Sequence, residues 1–253
     1  MINIVEVMEM RNIKLTIEYD GTNYSGWQRQ NNALCIQEVI EKAIFELTGE
    51  KTEVIGSSRT DAGVHAKGFV ANFYTESKIP DNRFMKAINS KLPCDIVIID
   101  SQAAELKFHS RYDSKGKTYS YTILNREEKS ALMRNYSYHF YHKLSIEAMK
   151  DGAAYLIGKH DFISFRNSGS SVKTTVRTIK AIDIVSKEEY VIFYVTADGF
   201  LYNMVRIIVG TLLDVGTGKI TPYEVKDILE SHDRRNAGRS VPGRGLCLEK
   251  VFY

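Results

Sequence analysis

Cysteine, proline, long apolar runs and charge of one sign are all scarce in this chain of 253 residues. The three cysteines, Cys35, Cys94 and Cys247, form no CxxC pair and are odd in number. That excludes a disulfide framework and a cysteine-held zinc cluster, and it fits a reducing cytoplasm. Four prolines and 17 glycines are too few for a linker-rich architecture. The most apolar stretch, Met204 to Leu213, is interrupted by Arg206 and is too short to span a bilayer. Met1–Val7 has no basic residue and meets Glu6 early, unlike a signal peptide, and Met1–Met10 reads as a short frayed extension. Phosphate loops of the GxxxxGK[ST] or GxGxxG kind are absent, which argues against an enzyme built on a nucleotide cofactor. What remains is 43% hydrophobic, 26% charged and 11% aromatic, the profile of a globular protein with one large domain or two modest ones.

The overall charge of +3 says little about partners, but its distribution is uneven. Residues 103–180 hold 14 Lys and Arg against 7 Asp and Glu, whereas the remainder holds 20 against 24. A second basic run, Arg234, Arg235, Arg239 and Arg244, has no acid within it. A solvated surface accounts for such runs on composition alone. The long segment, however, interleaves its charges with Tyr112, Tyr119, Tyr121, Tyr136, Tyr138, Phe140 and Tyr141. Cations for phosphates beside aromatic faces for bases is the combination that nucleic-acid binding requires.

Hydrophobic periodicity divides the chain into two halves of similar element order. Ile13, Leu15, Ile17 and Tyr19 alternate as in a strand, and Ile36, Val39, Ile40, Ala43, Ile44 and Leu47 follow helical spacing up to Gly49. Strands are expected at Thr52–Ser57 and Gly68–Thr75. A helix capped by Asp81 follows, carrying Phe84, Met85, Ile88 and Leu92, and then a short buried strand at Ile96–Ile99. The order is βαββαβ. It recurs as a strand at Lys117–Leu124, a helix at Ser145–Ile157 that Gly158 ends, a hairpin of Val176–Ser186 with Tyr190–Ala197, a helix at Tyr202–Leu213 and a strand at Gly245–Phe252. An additional helix is announced by the capping box Thr221-Pro222-Tyr223-Glu224. The expected fold is α+β, with two ferredoxin-like βαββαβ halves, residues 1–103 and 104–253. Each has an antiparallel sheet with helices on one face, and the catalytic cleft is expected between them.

The densest chemical signal is Ser57-Ser58-Arg59-Thr60-Asp61-Ala62-Gly63-Val64-His65-Ala66, on a loop between two expected strands. In extended chain Arg59 and Asp61 share a face, and a guanidinium there keeps a carboxylate ionised for work as nucleophile or general base. The competing reading is an ordinary turn with Asp61 as its cap. His65 with Asp61 does not make a metal site, because no second histidine cluster supports one, and a satisfied loop histidine is the simpler account. In Lys117-Thr118-Tyr119-Ser120-Tyr121, the residues Lys117, Tyr119 and Tyr121 project to one face of a strand. Tyr121 reads first as core, whereas core packing and base stacking stand level for Tyr119. In Gly199-Phe200-Leu201-Tyr202-Asn203-Met204-Val205-Arg206, the arginine is embedded in an apolar helix and needs an acidic partner or an anionic ligand.

Taken together in order, these segments resemble the TruA-type tRNA pseudouridine(38–40) synthase family. The resemblance begins at Tyr19-Asp20-Gly21-Thr22-Asn23-Tyr24-Ser25-Gly26-Trp27-Gln28 and continues at Arg59–Ala66. It runs on through Lys117-Thr118-Tyr119, Gly158-Lys159-His160-Asp161-Phe162 and Gly199–Arg206 to Gly245–Tyr253. It implies cofactor-free isomerisation of uridine to pseudouridine in the anticodon stem-loop of tRNA, at positions 38, 39 or 40. It places the nucleophile on Asp61, the motif arginine on Arg59, the uracil-stacking tyrosine on Tyr119 and the basic partner of the aspartate on Arg206. His65, Lys117 and Leu201 are the further substrate-binding candidates. A homodimer that takes tRNA in a basic cleft is also implied, with no metal and no membrane. Ser58 stands where the family usually has glycine or alanine, and Val241-Pro242-Gly243 replaces the more usual Ala-Pro. Two rivals from other classes are a non-catalytic tRNA-binding or RNA-folding protein and a metal-dependent or aspartate-nucleophile hydrolase.

Overall fold

The computed structural model describes residues 9–169 and 172–253; most of the expected N-terminal extension lies outside them. The chain divides into two compact units, Met1–Ala62 with Ala66–Ser114 and Gly63–His65 with Lys115–Tyr253.

In the first unit, strand β1 (Arg11–Tyr19) lies between β3 (His65–Thr75) and β4 (Ile96–Ala104), both antiparallel to it. Its alternating Ile13, Leu15 and Ile17 face Phe73, Ala71 and Phe69 across the ladder, and all of these side chains are buried. Helix α1 (Ile36–Thr48) turns Ile36, Ile40, Ala43 and Ile44 inward and stops at Gly49. That glycine adopts φ 74°, a conformation that favours a residue without Cβ, and donates its N–H to the Phe45 carbonyl. With β2 (Ile55–Gly56) on β3 and helix α2 (Phe84–Asn89) before β4, the strand order is β4-β1-β3-β2. This is the 4-1-3-2 order of a ferredoxin-like βαββαβ unit.

Three local readings are corrected. The strand expected over Thr52–Ser57 pairs only at Ile55–Gly56, because side chains have taken the backbone groups before it. Glu41 accepts the Val54 N–H at 3.0 Å, and Gln37 donates to the Val54 carbonyl. Asp81 does not cap a helix. Its carboxylate accepts from Arg11 at 2.7 Å, so residues 81–83 form a single 3-10 turn and α2 ends before Leu92. The strand at Ile96 runs nine residues along a sheet edge and is buried on one face only, leaving Val97 and Ile99 exposed.

In the second unit, β5 (Gly116–Leu124) carries the two-residue β6 (Tyr138–His139) alongside it, and helix α3 (Ile146–Ala154) follows. Next come β7 (Gly158–Asp161) and the hairpin of β8 (Val176–Lys187) with β9 (Tyr190–Ala197). Helices α4 (Met204–Gly216) and α5 (Glu224–Glu230) precede the last strand, β10 (Leu246–Phe252). The order β10-β5-β9-β8 repeats the 4-1-3-2 pattern, with β7 added outside β8. Helix α3 is capped by Ser145, whose hydroxyl accepts the Ala148 N–H. It ends three residues earlier than its spacing predicts, because Leu156 and Ile157 bond to carbonyls three residues back and tighten the last turn. The capping box forms as read: Glu224 accepts the Thr221 N–H at 2.6 Å and the Thr221 hydroxyl at 2.8 Å.

Candidate active site

The Arg59–Asp61 loop is organised by its middle residue. Thr60 is buried, its hydroxyl lies 2.9 Å from the Tyr19 hydroxyl at the end of β1, and its carbonyl accepts the Trp27 N–H at 3.1 Å. Trp27 in turn stacks on Phe69 with ring centroids 4.0 Å apart. With Thr60 pinned inward, the alternation of extended chain turns its neighbours outward: Arg59 is exposed and Asp61 half-buried. The support that fixes this loop lies wholly within the first unit. Spacing pointed to Arg59 and Asp61 but not to Thr60, Tyr19 or Gly26, which hold them.

His65 begins β3 and is buried. Its Nε2 lies 2.8 Å from the Asn135 carbonyl oxygen and 3.2 Å from that of Arg244, so it carries the proton and donates. Its ring leans on Tyr136 at 5.1 Å. A nitrogen committed in this way is not a metal ligand, and the loop histidine is a structural tie. Among the described residues no cluster of three or more His, Cys, Asp or Glu is placed to hold a metal ion, and no helix is long and apolar enough to cross a membrane.

Tyr119 lies in the middle of β5, opposite Val195 of β9 and Leu248 of β10. It is 6% exposed, and its ring meets Phe200 edge-on at 5.1 Å, so the Gly199–Arg206 segment reaches the face of β5 that carries it. Lys117 precedes it on that face, and Leu201 is buried beside Phe200 in sequence. Tyr121 is core, as first read. It is fully buried, its hydroxyl donates to the Pro242 carbonyl at 2.7 Å, and burial pushes its phenol above the ordinary range.

Arg206 projects from the first turn of α4 and is half-buried. Its Nε donates to the Val241 carbonyl at 2.7 Å and one Nη to the Asn203 side-chain oxygen at 2.6 Å, while the Val241 N–H returns to the Arg206 carbonyl. Asn203 adopts φ 61°, which asparagine tolerates better than most residues. The segment from Val241 to Arg244 is therefore held at three points, by Arg206, Tyr121 and His65. The second unit thus gathers Lys117, Tyr119, Leu201 and Arg206 around strand β5 and the start of α4, and the first unit presents Arg59 and Asp61.

A protein-family model described as tRNA pseudouridine synthase matches residues 15–113 and 153–253. These spans hold Arg59, Asp61, His65, Leu201 and Arg206; Lys117 and Tyr119 fall in the stretch between them. The chain is 59% identical over 244 residues to the tRNA pseudouridine synthase A of Clostridium acetobutylicum, covering 96% of this chain and all of that protein. It is 58% identical to the tRNA pseudouridine synthase A 2 of Clostridium perfringens and 56% identical to the tRNA pseudouridine synthase A of Acetivibrio thermocellus, with the same coverage of both chains. Similarity that spans three whole proteins is more than a shared motif or module, and the chain belongs to the tRNA pseudouridine synthase family of isomerases.

Proposed function

We propose that the protein converts uridine to pseudouridine in the anticodon stem-loop of tRNA, at positions 38, 39 or 40, with Asp61 as nucleophile and without a cofactor. The observation that carries this reading is the Thr60 anchor, which fixes the loop between the exposed Arg59 and the half-buried Asp61. The target uridine leaves the stack at a cost of a few kcal/mol, offset by new stacking and phosphate contacts. The Asp61 carboxylate attacks the ribose or the ring, and the bond between C1′ and N1 breaks. The uracil rotates, a bond forms between C1′ and C5, and the bond to Asp61 breaks to return the free carboxylate. The C5 proton departs and N1 takes one up, so the product is an isomer of the substrate. Arg59 and Arg206 supply the positive charge that the carboxylate needs to stay ionised. Tyr119 stacks on the exposed base and offers its hydroxyl oxygen to the C5 proton. Lys117 and Leu201 complete the binding surface, His65 serves it by tying the Asn135 and Arg244 backbone in place, and the working form is a cytoplasmic homodimer.

The test is to incubate unmodified tRNA transcripts with the protein and with its Asp61→Ala variant, and to map pseudouridine position by position. The wild type is expected to modify uridines at positions 38, 39 or 40, in excess chelator as well as without it. The variant is expected to form none while binding tRNA within a few-fold of wild type. Modification at the normal rate by the variant overturns the nucleophile, and tRNA binding without modification by the wild type favours an RNA-binding protein.

A further inference from the structure

Outside the residues assigned above, the second unit contains an open groove of about 510 Å3. Arg166, Asn167 and Ser168 line it after the 3-10 turn Ile163–Phe165, Tyr202 lines it just before α4, and Asp233 and Arg234 line it after α5. Its charges are unbalanced. Arg234 is half-buried and gives Nε to the Asn167 side-chain oxygen at 3.0 Å and one Nη to the Ala237 carbonyl at 3.2 Å. Among the described residues it has no carboxylate partner, and burial alone pulls its pKa down. A guanidinium has five N–H donors, so three of its donors remain uncommitted to the protein. Arg166 bonds through its backbone N–H to Ile163, and its guanidinium has no ion pair among the described residues. Asp233, the acid of the groove, is taken by Arg235, whose Nε and Nη2 lie 2.6 to 3.1 Å from its two oxygens.

A cation withdrawn from water without a counter-charge is costly to maintain unless a ligand supplies the charge. Two guanidinium groups facing one groove match phosphate oxygens in geometry as well as in sign. The exposed Tyr202 ring offers a face to a neighbouring base or ribose. An open groove admits a continuous chain, whereas a free anion needs only a closed pocket. The Asn167 N–H donates to the Tyr202 carbonyl at 3.2 Å, joining the groove to the segment that leads into Arg206.

We infer that this groove binds a backbone phosphate of the tRNA through Arg166 and Arg234, at a contact point separate from the reacting uridine. The inference rests on tRNA being the substrate. Its test measures the dissociation constant of an unmodified tRNA transcript over a series of salt concentrations for wild type, Arg166→Gln, Arg234→Gln and Arg234→Lys, with pseudouridine formation by the wild type read in the same preparation. Each glutamine variant is expected to weaken binding about tenfold at low salt and to flatten the log–log salt slope by roughly 0.7 to 1, as loss of one phosphate contact does. Arg234→Lys, which keeps the charge, is expected to recover most of the slope. Among the described residues the Arg166 side chain makes no hydrogen bond or ion pair, so its variant decides the matter should Arg234→Gln fail to fold. Unchanged affinity and slope in Arg166→Gln overturn the inference. So does binding of inorganic phosphate that depends on Arg166 while the tRNA slope stays at its wild-type value, which makes the groove a small-anion site. Failure of the wild type to form pseudouridine sinks the functional reading and leaves the salt slopes to judge the groove separately.

Discussion

Gly26 and Thr60 are packed so closely that a Cβ built on Gly26 stands 2.2 Å from the Thr60 carbonyl oxygen. Gly26 also has φ 95°, where residues with side chains rarely sit. The glycine in the loop after β1 therefore sets the height of the Arg59–Asp61 loop. Gly26→Ala must push the Thr60 backbone away, and it is expected to cost about 2–4 kcal/mol of stability. Single-turnover pseudouridine formation is expected to fall at least tenfold in material that is still folded, read by urea denaturation beside the rate. Full activity in the folded variant dismisses Gly26 as a positioning residue.

Arg206→Lys tests the fork rather than the charge. A lysine ammonium keeps the positive charge but cannot span the Val241 carbonyl and the Asn203 side chain as the guanidinium does. Stability is expected to fall by about 1–2 kcal/mol and the single-turnover rate by about 100-fold. A rate near wild type shows that charge at this position is enough.

How far these parts could be read in advance depended on whether each leaves a periodic trace. Strand β1 and helix α1 were legible because Ile13, Leu15 and Ile17, and then Ile36, Ile40 and Ile44, repeat at the period of their elements and are all buried. Strands β6 and β7 were not anticipated: Tyr138–His139 and Gly158–Asp161 are short and polar, with no alternation to see. Asp81 looked like a cap because nothing nearby in the chain announces that Arg11, 70 residues away, will claim it. The same holds at the site. Arg59 and Asp61 stood out as a charged pair at strand spacing, but Thr60 reads as an ordinary polar residue, and the acceptor for Arg206 is a backbone carbonyl that any residue at 241 supplies.

The departure at Ser58 has a physical reading. Its hydroxyl oxygen is buried and finds no hydrogen-bond partner among the described residues. Such a group costs desolvation energy without a compensating bond. Ser58→Ala is expected to leave stability unchanged or raise it by up to about 1 kcal/mol, measured as the urea midpoint. A clear loss of stability shows that the hydroxyl has a partner in solution.

Asp233 gives the fold a defined response to acid. The side chain and backbone N–H of Arg235 hold its carboxyl down at about 2. A depressed carboxylate stabilises the folded state above its unfolded pKa, and that contribution is lost as pH falls through the folded value. The window here runs from about pH 4 to about pH 2. Asp233→Asn is therefore expected to have a lower urea midpoint than wild type at pH 7 and pH 5, with the gap narrowing steadily below pH 4. A gap that stays constant down to pH 2.5 assigns the loss to something other than the carboxylate charge.

Two roles for Tyr119 can be separated by deleting a single oxygen. Its ring is already fixed against Phe200, so Tyr119→Phe preserves the edge-on contact at 5.1 Å and the aromatic face proposed to stack on a base. Only the hydroxyl is lost. If that oxygen takes the C5 proton, general-base catalysis is removed and single-turnover formation of pseudouridine is expected to fall by about 100- to 10,000-fold, with tRNA affinity within a few-fold of wild type. Tyr119→Leu removes the aromatic face as well and is expected to weaken tRNA binding in addition, since stacking of a base is worth about 1–3 kcal/mol. A phenylalanine variant that works at the wild-type rate leaves Tyr119 as a stacking platform and sends the search for the proton acceptor elsewhere in the site. A leucine variant that binds as tightly as wild type removes the stacking role too, and Tyr119 then belongs to the core of the second unit, where 6% exposure already places most of its surface.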